Sequence, residues 1–112
     1  MKALIAAVTA TLLLTISGVA QAADPVALVK KFKGDCLACH AVDKKVVGPA
    51  WKDVAAKYRG VEGAQAVLIQ KVITGGKGNY WWAVTGGTAM TPHHSKPTSA
   101  EIEQIVAAIL AL

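Results

Sequence analysis

Apolar residues recur at helical spacing in several stretches of the chain, and each stretch is bounded by residues that begin or end helices. The first is predicted to run from about Pro25 to Lys33, with Asp24 as the N-cap and proline at the first helical position. Gly34 should end or loosen it, and the chain is expected to continue after this break into residues 36–40. The apolar side of this helix consists of Val26, Val29 and Phe32.

A second and a third helix are predicted in the middle of the chain. The second has apolar residues at i, i+3, i+4 and i+7 and is closed by Gly60. These residues are Trp51, Val54, Ala55 and Tyr58. The third runs from about Ala64 to Thr74 and stops at the pair Gly75-Gly76. It carries the apolar residues Val67, Leu68, Val72 and Ile73.

Residues 75–97 show neither helical nor strand periodicity and are rich in Gly, Trp, Tyr, Thr, His and Pro. Irregular segments of this length in small domains are usually functional, and a cofactor lying against this one would compensate for its lack of secondary structure. After it, Thr98 or Ser99 caps a last helix, and Thr98 with Glu101 fits a capping box. Its apolar stripe is Ile102, Ile105, Val106, Ile109 and Leu110. No convincing strand pattern or repeat is found, so the domain is predicted to be all-α.

The N-terminus has the layout of a secretory signal peptide. Met1-Lys2 is followed by an apolar run to about Val19 and by the A-x-A site Ala20-Gln21-Ala22. Residues 1–22 are therefore expected to be cleaved, which leaves one domain at residues 23–112. The alternative is an uncleaved membrane anchor, because the run is near the lower length for a span.

Charge and cysteine count narrow the possible functions. Only Lys2 of the basic residues lies in the leader, so residues 23–112 carry 11 Lys and Arg against 7 Asp and Glu. This balance suits an acidic protein partner. The excess of basic residues, which includes only one Arg (Arg59), is too weak to indicate binding of nucleic acid. Two cysteines three residues apart are too few and too close for a disulfide framework in an exported protein.

The strongest motif is Cys36-Leu37-Ala38-Cys39-His40, the C-x-x-C-H pattern of covalent c-type haem attachment. If the segment is helical, residues three apart share a face, so both sulfurs can reach the two vinyl groups on one side of the porphyrin. His40 then falls beneath the iron as the proximal axial ligand. A local disulfide and a half-site for zinc are the alternatives.

Met90 is the candidate for the second axial ligand, because it is the only methionine outside the leader. It lies in the irregular segment rather than on an apolar helix stripe. His93 and His94 are its rivals, and either would give bis-histidine coordination. We expect both histidines to be solvent-exposed loop residues instead.

These stretches resemble the small class I bacterial cytochromes c, particularly the c-551/c-552 (cytochrome c8) type, over essentially all of residues 24–112. The matching segments are Cys-Leu-Ala-Cys-His-Ala at 36–41, Val-Gly-Pro-Ala-Trp at 47–51, Lys-Asp-Val-Ala-Ala-Lys-Tyr at 52–58, and Met90 before a proline-containing turn. The resemblance implies a class I cytochrome c fold, with four to five short helices around one covalently bound haem c.

The resemblance also implies residues that contact the haem or its ligand. The Pro49 carbonyl would accept a hydrogen bond from Nδ1 of His40, and Lys71 and Tyr80 would contact the propionates. Trp81 or Trp82 could replace Tyr80, and plain packing of these aromatics against the haem is the alternative. The chain departs from the family pattern in a longer segment from Tyr80 to Met90, and in Thr91, where a second proline is common.

The predicted function is that of a soluble, monomeric periplasmic one-electron carrier with iron ligated by His40 and Met90. It would dock on redox proteins through lysines near an acidic partner surface. These lysines include Lys30, Lys31, Lys33, Lys44, Lys45, Lys77 and Lys96. Three alternatives remain: a haem enzyme or ligand-binding protein with an open or bis-histidine iron, a haem-free thiol–disulfide oxidoreductase, and a structural or metal-binding helical module.

Overall fold

The computed structural model describes residues 23–78, 80–93 and 96–112. The predicted leader and His94 lie outside these ranges. Within them the chain forms five α-helices and one short 3-10 turn at Cys36–Ala38, with no strand beyond isolated bridges. The helices are α1 (Pro25–Lys31), α2 (Trp51–Tyr58), α3 (Ala64–Thr74), α4 (Trp82–Thr85) and α5 (Ser99–Leu110). None of these described helices is long and apolar enough to cross a membrane.

Helix α1 begins as predicted but ends earlier. The Asp24 carboxylate accepts a hydrogen bond from the Val26 amide at 2.9 Å, and Pro25 takes the first helical position. The helix ends at Lys31 rather than at Lys33, because Lys33 adopts a left-handed backbone conformation with φ 56°. The next amide, that of Gly34, then turns back to the Val29 carbonyl at 2.9 Å.

Helices α2 and α5 confirm the apolar periodicity, whereas α3 confirms only its bounds, since Val67 is exposed. Trp51, Val54 and Ala55 are buried on one face of α2, and α3 has the predicted bounds. Thr98 is the N-cap of α5, and it exchanges capping-box hydrogen bonds with Glu101, as the sequence indicated.

Helix α5 is the common packing partner of the other long helices. It contacts α1, α2 and α3, and its apolar stripe supplies Ile105 and Ile109 to a buried cluster with Val29, Trp51 and Val54. Because α2 and α3 both pack on α5, the two helices form the walls of a cavity beside it.

The segment predicted to be irregular contains a helix that the sequence pattern missed. Helix α4 has only four residues and ends at Gly86 in the left-handed conformation, with φ 62°. One helical turn is too short to show a period of 3.6 residues. From Gly86 the chain follows an irregular path to Met90, which forms an isolated antiparallel bridge with Gly76.

Candidate haem site

The two cysteines lie at the start and just past the end of the 3-10 turn. The Cys39 and His40 amides both donate to the Cys36 carbonyl, at 3.2 and 2.9 Å. In a 3-10 turn, side chains three residues apart are eclipsed, so Cys36 and Cys39 face the same side. They are not joined in a disulfide. The turn thus supplies two thiols to one side of the adjacent cavity, as attachment to two vinyl groups requires.

His40 is held by the loop that follows the turn. Its Nδ1–H donates to the Pro49 carbonyl at 2.8 Å, the contact that the resemblance implied. Its ring stacks on Trp51 with centroids 5.9 Å apart and an interplanar angle of 22°. Burial lowers the pKa of His40, and the hydrogen bond to Pro49 only partly opposes that effect. The imidazole is therefore neutral at neutral pH, with Nε2 free to bind a metal.

Gly48 completes this support because it leaves room for the imidazole. The Val47 and Gly48 amides both donate to the Cys39 carbonyl, at 3.2 and 2.7 Å, which brings the Gly48 backbone against the His40 ring. A Cβ built on Gly48 would lie 2.7 Å from Cε1 of His40. The loop therefore depends on the absence of a side chain at this position.

We expect Gly48→Ala to tilt His40 and weaken its hydrogen bond to Pro49. Overpacking of this kind costs about 1–3 kcal/mol in the free energy of unfolding. Denaturant titration of the native protein measures the loss. Gly78→Ala is the matched control, because a Cβ there would meet its nearest neighbour, Trp81, at an ordinary 3.4 Å. Equal stability of the two variants would contradict the role of Gly48.

A cavity of about 600 Å³ opens between the attachment turn, α2, α3, α5 and the segment around Met90. This volume falls within the range of about 300–1,000 Å³ for ligand pockets. Its walls are mainly apolar, and the side chains that line it include His40, Leu68, Val72, Met90 and Ile102. Both cysteines and both predicted iron ligands line this one cavity. The residues present thus fit a large apolar group that carries a metal and is fastened at one edge.

Met90 is held against the C-terminal end of α3 by backbone contacts. Its amide donates to the Gly76 carbonyl at 3.1 Å, and its carbonyl accepts from the Gly76 amide at 2.9 Å. Gly75 adopts φ 64°, and a Cβ there would collide with the Met90 carbonyl oxygen. The glycine pair that ends α3 therefore also provides the surface on which the methionine rests.

The residues implied as propionate contacts, Lys71 and Tyr80, both line the cavity. Lys71 lines the cavity, and its Nζ donates to the Gly75 and Lys77 carbonyls at 3.4 and 3.5 Å. Tyr80 also lines the cavity and is 60% exposed. Its ring meets Tyr58 edge-on at 6.4 Å and lies 4.3 Å from Lys57 Nζ.

The two tryptophans beside Tyr80 differ in their surroundings. Trp81 is half-buried, packs against the core and lines the cavity. Trp82 is exposed and lies under Lys77 Nζ, 5.3 Å from the ring centroid. Trp82 is not among the described side chains that line the cavity. Of the two, Trp81 is therefore the one that a group held in the cavity would touch.

The prediction that His93 is a solvent-exposed loop residue is wrong. Its side chain is only 9% exposed and lines the cavity, and its Nε2–H donates to Oδ1 of Asp35 at 2.5 Å. Its backbone amide donates to the Val72 and Ile73 carbonyls, which draws the side chain against the protein. Asp35 lies 58 positions from His93 along the chain, so no local sequence pattern predicted this pair. His94 lies outside the described residues.

Two of the alternative functions find no support in the described residues. Burial, followed by the negative charge of Asp35, raises the pKa of Cys36. The attacking cysteine of a dithiol oxidoreductase needs the opposite shift. A zinc site needs four ligands, whereas the described residues hold no cluster of three or more His, Cys, Asp or Glu side chains that could bind a metal ion.

Comparison with known proteins shows the family of the chain. Residues 27–112 match the cytochrome c family model. The chain is 46% identical over 85 residues to cytochrome c-551 of Allochromatium vinosum, covering 76% of this chain and 84% of that one. It is 42% identical over 82 residues to cytochrome c-552 of Hydrogenobacter thermophilus, covering 73% and 76%. The crystal structure of wild-type Nitrosomonas europaea cytochrome c552 superposes with a TM-score of 0.65 at 38% identity, covering 78% of this chain and 98% of that one.

The chain therefore belongs to the cytochrome c family. Within that family its relatives and its helical architecture are those of the class I cytochromes of the c-551/c-552 type. The predicted all-α class I fold is confirmed. So is haem c as the cofactor, and the chain is an electron-transfer protein rather than an enzyme.

Proposed function

We propose that the protein is a monomeric periplasmic one-electron carrier whose iron is bound by His40 and Met90, with haem fastened through Cys36 and Cys39. The observation that carries this proposal is that all four side chains line one apolar cavity, with His40 already oriented by Pro49. The hydrogen bond to Pro49 fixes the tautomer and increases the basicity of the ligand nitrogen.

Closed coordination explains why such a site transfers electrons and does not activate small molecules. With His40 and Met90 both bound to it, the iron would have no open position for oxygen or peroxide. One-electron transfer needs none. The apolar walls would hold the porphyrin in a low-dielectric environment, which tunes the reduction potential.

Met90 is a better candidate than His93 for the distal ligand. Nε2 of His93 is already used in the hydrogen bond to Asp35. The Met90 backbone is fixed at the cavity wall, and its side chain has no polar partner within residues 23–78, 80–93 and 96–112. Met/His ligation also raises the reduction potential relative to bis-histidine ligation.

Lysine side chains would serve both the haem propionates and the docking of partner proteins. Lys71 lines the cavity, so it and Tyr80 would contact the propionates. The lysines named in the sequence analysis are all exposed. They would orient a transient complex with an acidic docking surface on a reductase or an oxidase.

Native expression tests attachment and processing together. We expect a coloured protein whose mass equals residues 23–112 plus one haem, because export removes the predicted leader at Ala22. We expect the reduced protein to bind carbon monoxide, and the oxidised protein to bind cyanide, only slowly, since Met90 would first have to leave the iron. A colourless protein with two reactive thiols would contradict haem attachment. Rapid uptake of these ligands would contradict the carrier function.

A further inference from the structure

The segment of residues 88–93, here called the methionine loop, is tied to the rest of the protein unevenly. On one side, backbone hydrogen bonds join Met90 to Gly76 and the His93 amide to the end of α3. On the side of the attachment turn, the described residues contain one hydrogen bond to the segment 34–40, from His93 to Asp35. Asp35 directly precedes Cys36. This bond therefore spans from the attachment segment to the methionine loop.

We propose that His93 and Asp35 form a clasp that positions the methionine loop and thereby holds Met90 on the haem iron. His93 is a positioning residue in this proposal, since it acts through Met90 and not on the iron. The inference rests on the proposed ligation by His40 and Met90. It adds to that ligation a pair of residues that controls how readily the methionine leaves.

The burial of the His93 side chain indicates that the pair is a fixed structural contact and not a transient ion pair at the surface. The His93 side chain is 9% exposed, whereas Asp35 is 72% exposed. The imidazole is thus fixed in the cavity wall, and the carboxylate reaches it from the solvent side. Nδ1 of His93 is buried and has no hydrogen-bond partner among the described residues. Placing that nitrogen there costs free energy, so the bond at Nε2 and the packing of the ring must outweigh the cost.

The negative charge of Asp35 keeps the hydrogen bond from His93 formed at neutral pH. The hydrogen bond from His93 lowers the pKa of Asp35, and partial burial opposes this only in part. A carboxyl group with a depressed pKa contributes stability above its unfolded pKa and loses it as the pH falls through the folded value. Asp35 is therefore ionised at neutral pH and can accept the hydrogen bond from Nε2 of His93.

The test compares two aspartates of matched exposure in the native ferric protein. Asp35→Ala removes the clasp, and Asp43→Ala removes an exposed pair with Lys52 in which the carboxylate is 71% exposed. The probe is imidazole, at a pH where it is uncharged, so that the lost charge does not steer it. We expect imidazole to displace the methionine roughly 3- to 10-fold faster in Asp35→Ala than in the parent, the range expected for a partly exposed hydrogen bond to a charged group. Asp43→Ala should match the parent.

Two further variants distinguish a failure of the clasp from a failure of the assignment of Met90 as the iron ligand. Asp35→Glu keeps the carboxylate and should restore most of the parent rate. In a Met90→Ala background Asp35→Ala should have no effect, because no methionine remains to be released. Equal rates for Asp35→Ala and Asp43→Ala, or an effect of Asp35→Ala that persists without Met90, would overturn the clasp alone. If Met90→Ala left the absorption spectrum of the oxidised protein unchanged, the ligand assignment would be overturned, and the clasp with it.

Discussion

Replacing Met90 with alanine is expected to lower the reduction potential by on the order of 0.2 V, a part of the about 0.8 V range that axial ligands span. A thioether ligand would stabilise the reduced iron, and its loss would leave an open or water-bound position. The same variant should bind carbon monoxide rapidly when reduced and cyanide rapidly when oxidised. Potentiometric titration and ligand-mixing kinetics measure the two effects.

Thr91→Ala is a matched control for this substitution, because Thr91 is the exposed neighbour of Met90 and lies in the same loop. It should keep the parent potential and spectrum. An unchanged potential in Met90→Ala would instead point to a histidine on the distal side. A comparison with His93→Ala would then decide whether the ligand is His93.

The residues that define the cofactor could be identified from sequence because their signals are local. The attachment motif spans five consecutive residues, and the capping box of α5 spans four. The apolar stripes of α2 and α5 predicted most of the buried residues of these two helices, because burial of one helix face produces a repeating pattern.

The features that the sequence did not reveal arise from contacts distant along the chain or from single turns. The pairing of His93 with Asp35 joins residues 58 positions apart, and neither residue lies in a periodic stretch. A histidine among polar residues is typical of an exposed loop, yet the backbone bonds of its amide to Val72 and Ile73 turn it inward. Helix α4 and the early end of α1 depend on individual backbone conformations, which a periodic pattern does not report.

Removing both attachment cysteines should have the largest effect on the fold. The Cys36→Ala, Cys39→Ala double variant, produced in the native host, is expected to lack covalent haem and to be largely unfolded. The cavity of about 600 Å³ would lose the group that fills it. At about 24 cal/mol per Å³ the upper limit of that loss is ~14 kcal/mol.

That limit is comparable to the whole stability of a domain of this size, about 5–14 kcal/mol for the 90 residues from 23 to 112. Water entering the open cavity would make the loss of stability smaller than this limit. Helices α2 and α3 would still lack the haem that they enclose. Far-ultraviolet circular dichroism measures the helix content, and haem staining after denaturing electrophoresis detects covalent attachment.

Each single variant, Cys36→Ala or Cys39→Ala, is the control, because one thioether still keeps the haem in the cavity. We expect the single variants to stain and to retain most of their helix content, with a lower free energy of unfolding than the parent. If the double variant kept the full helix content without any haem, the core of α1, α2 and α5 would be sufficient for folding. The cofactor would then serve electron transfer alone, and the hydrogen bonds from His40 to Pro49 and between Met90 and Gly76 would be maintained by the polypeptide itself.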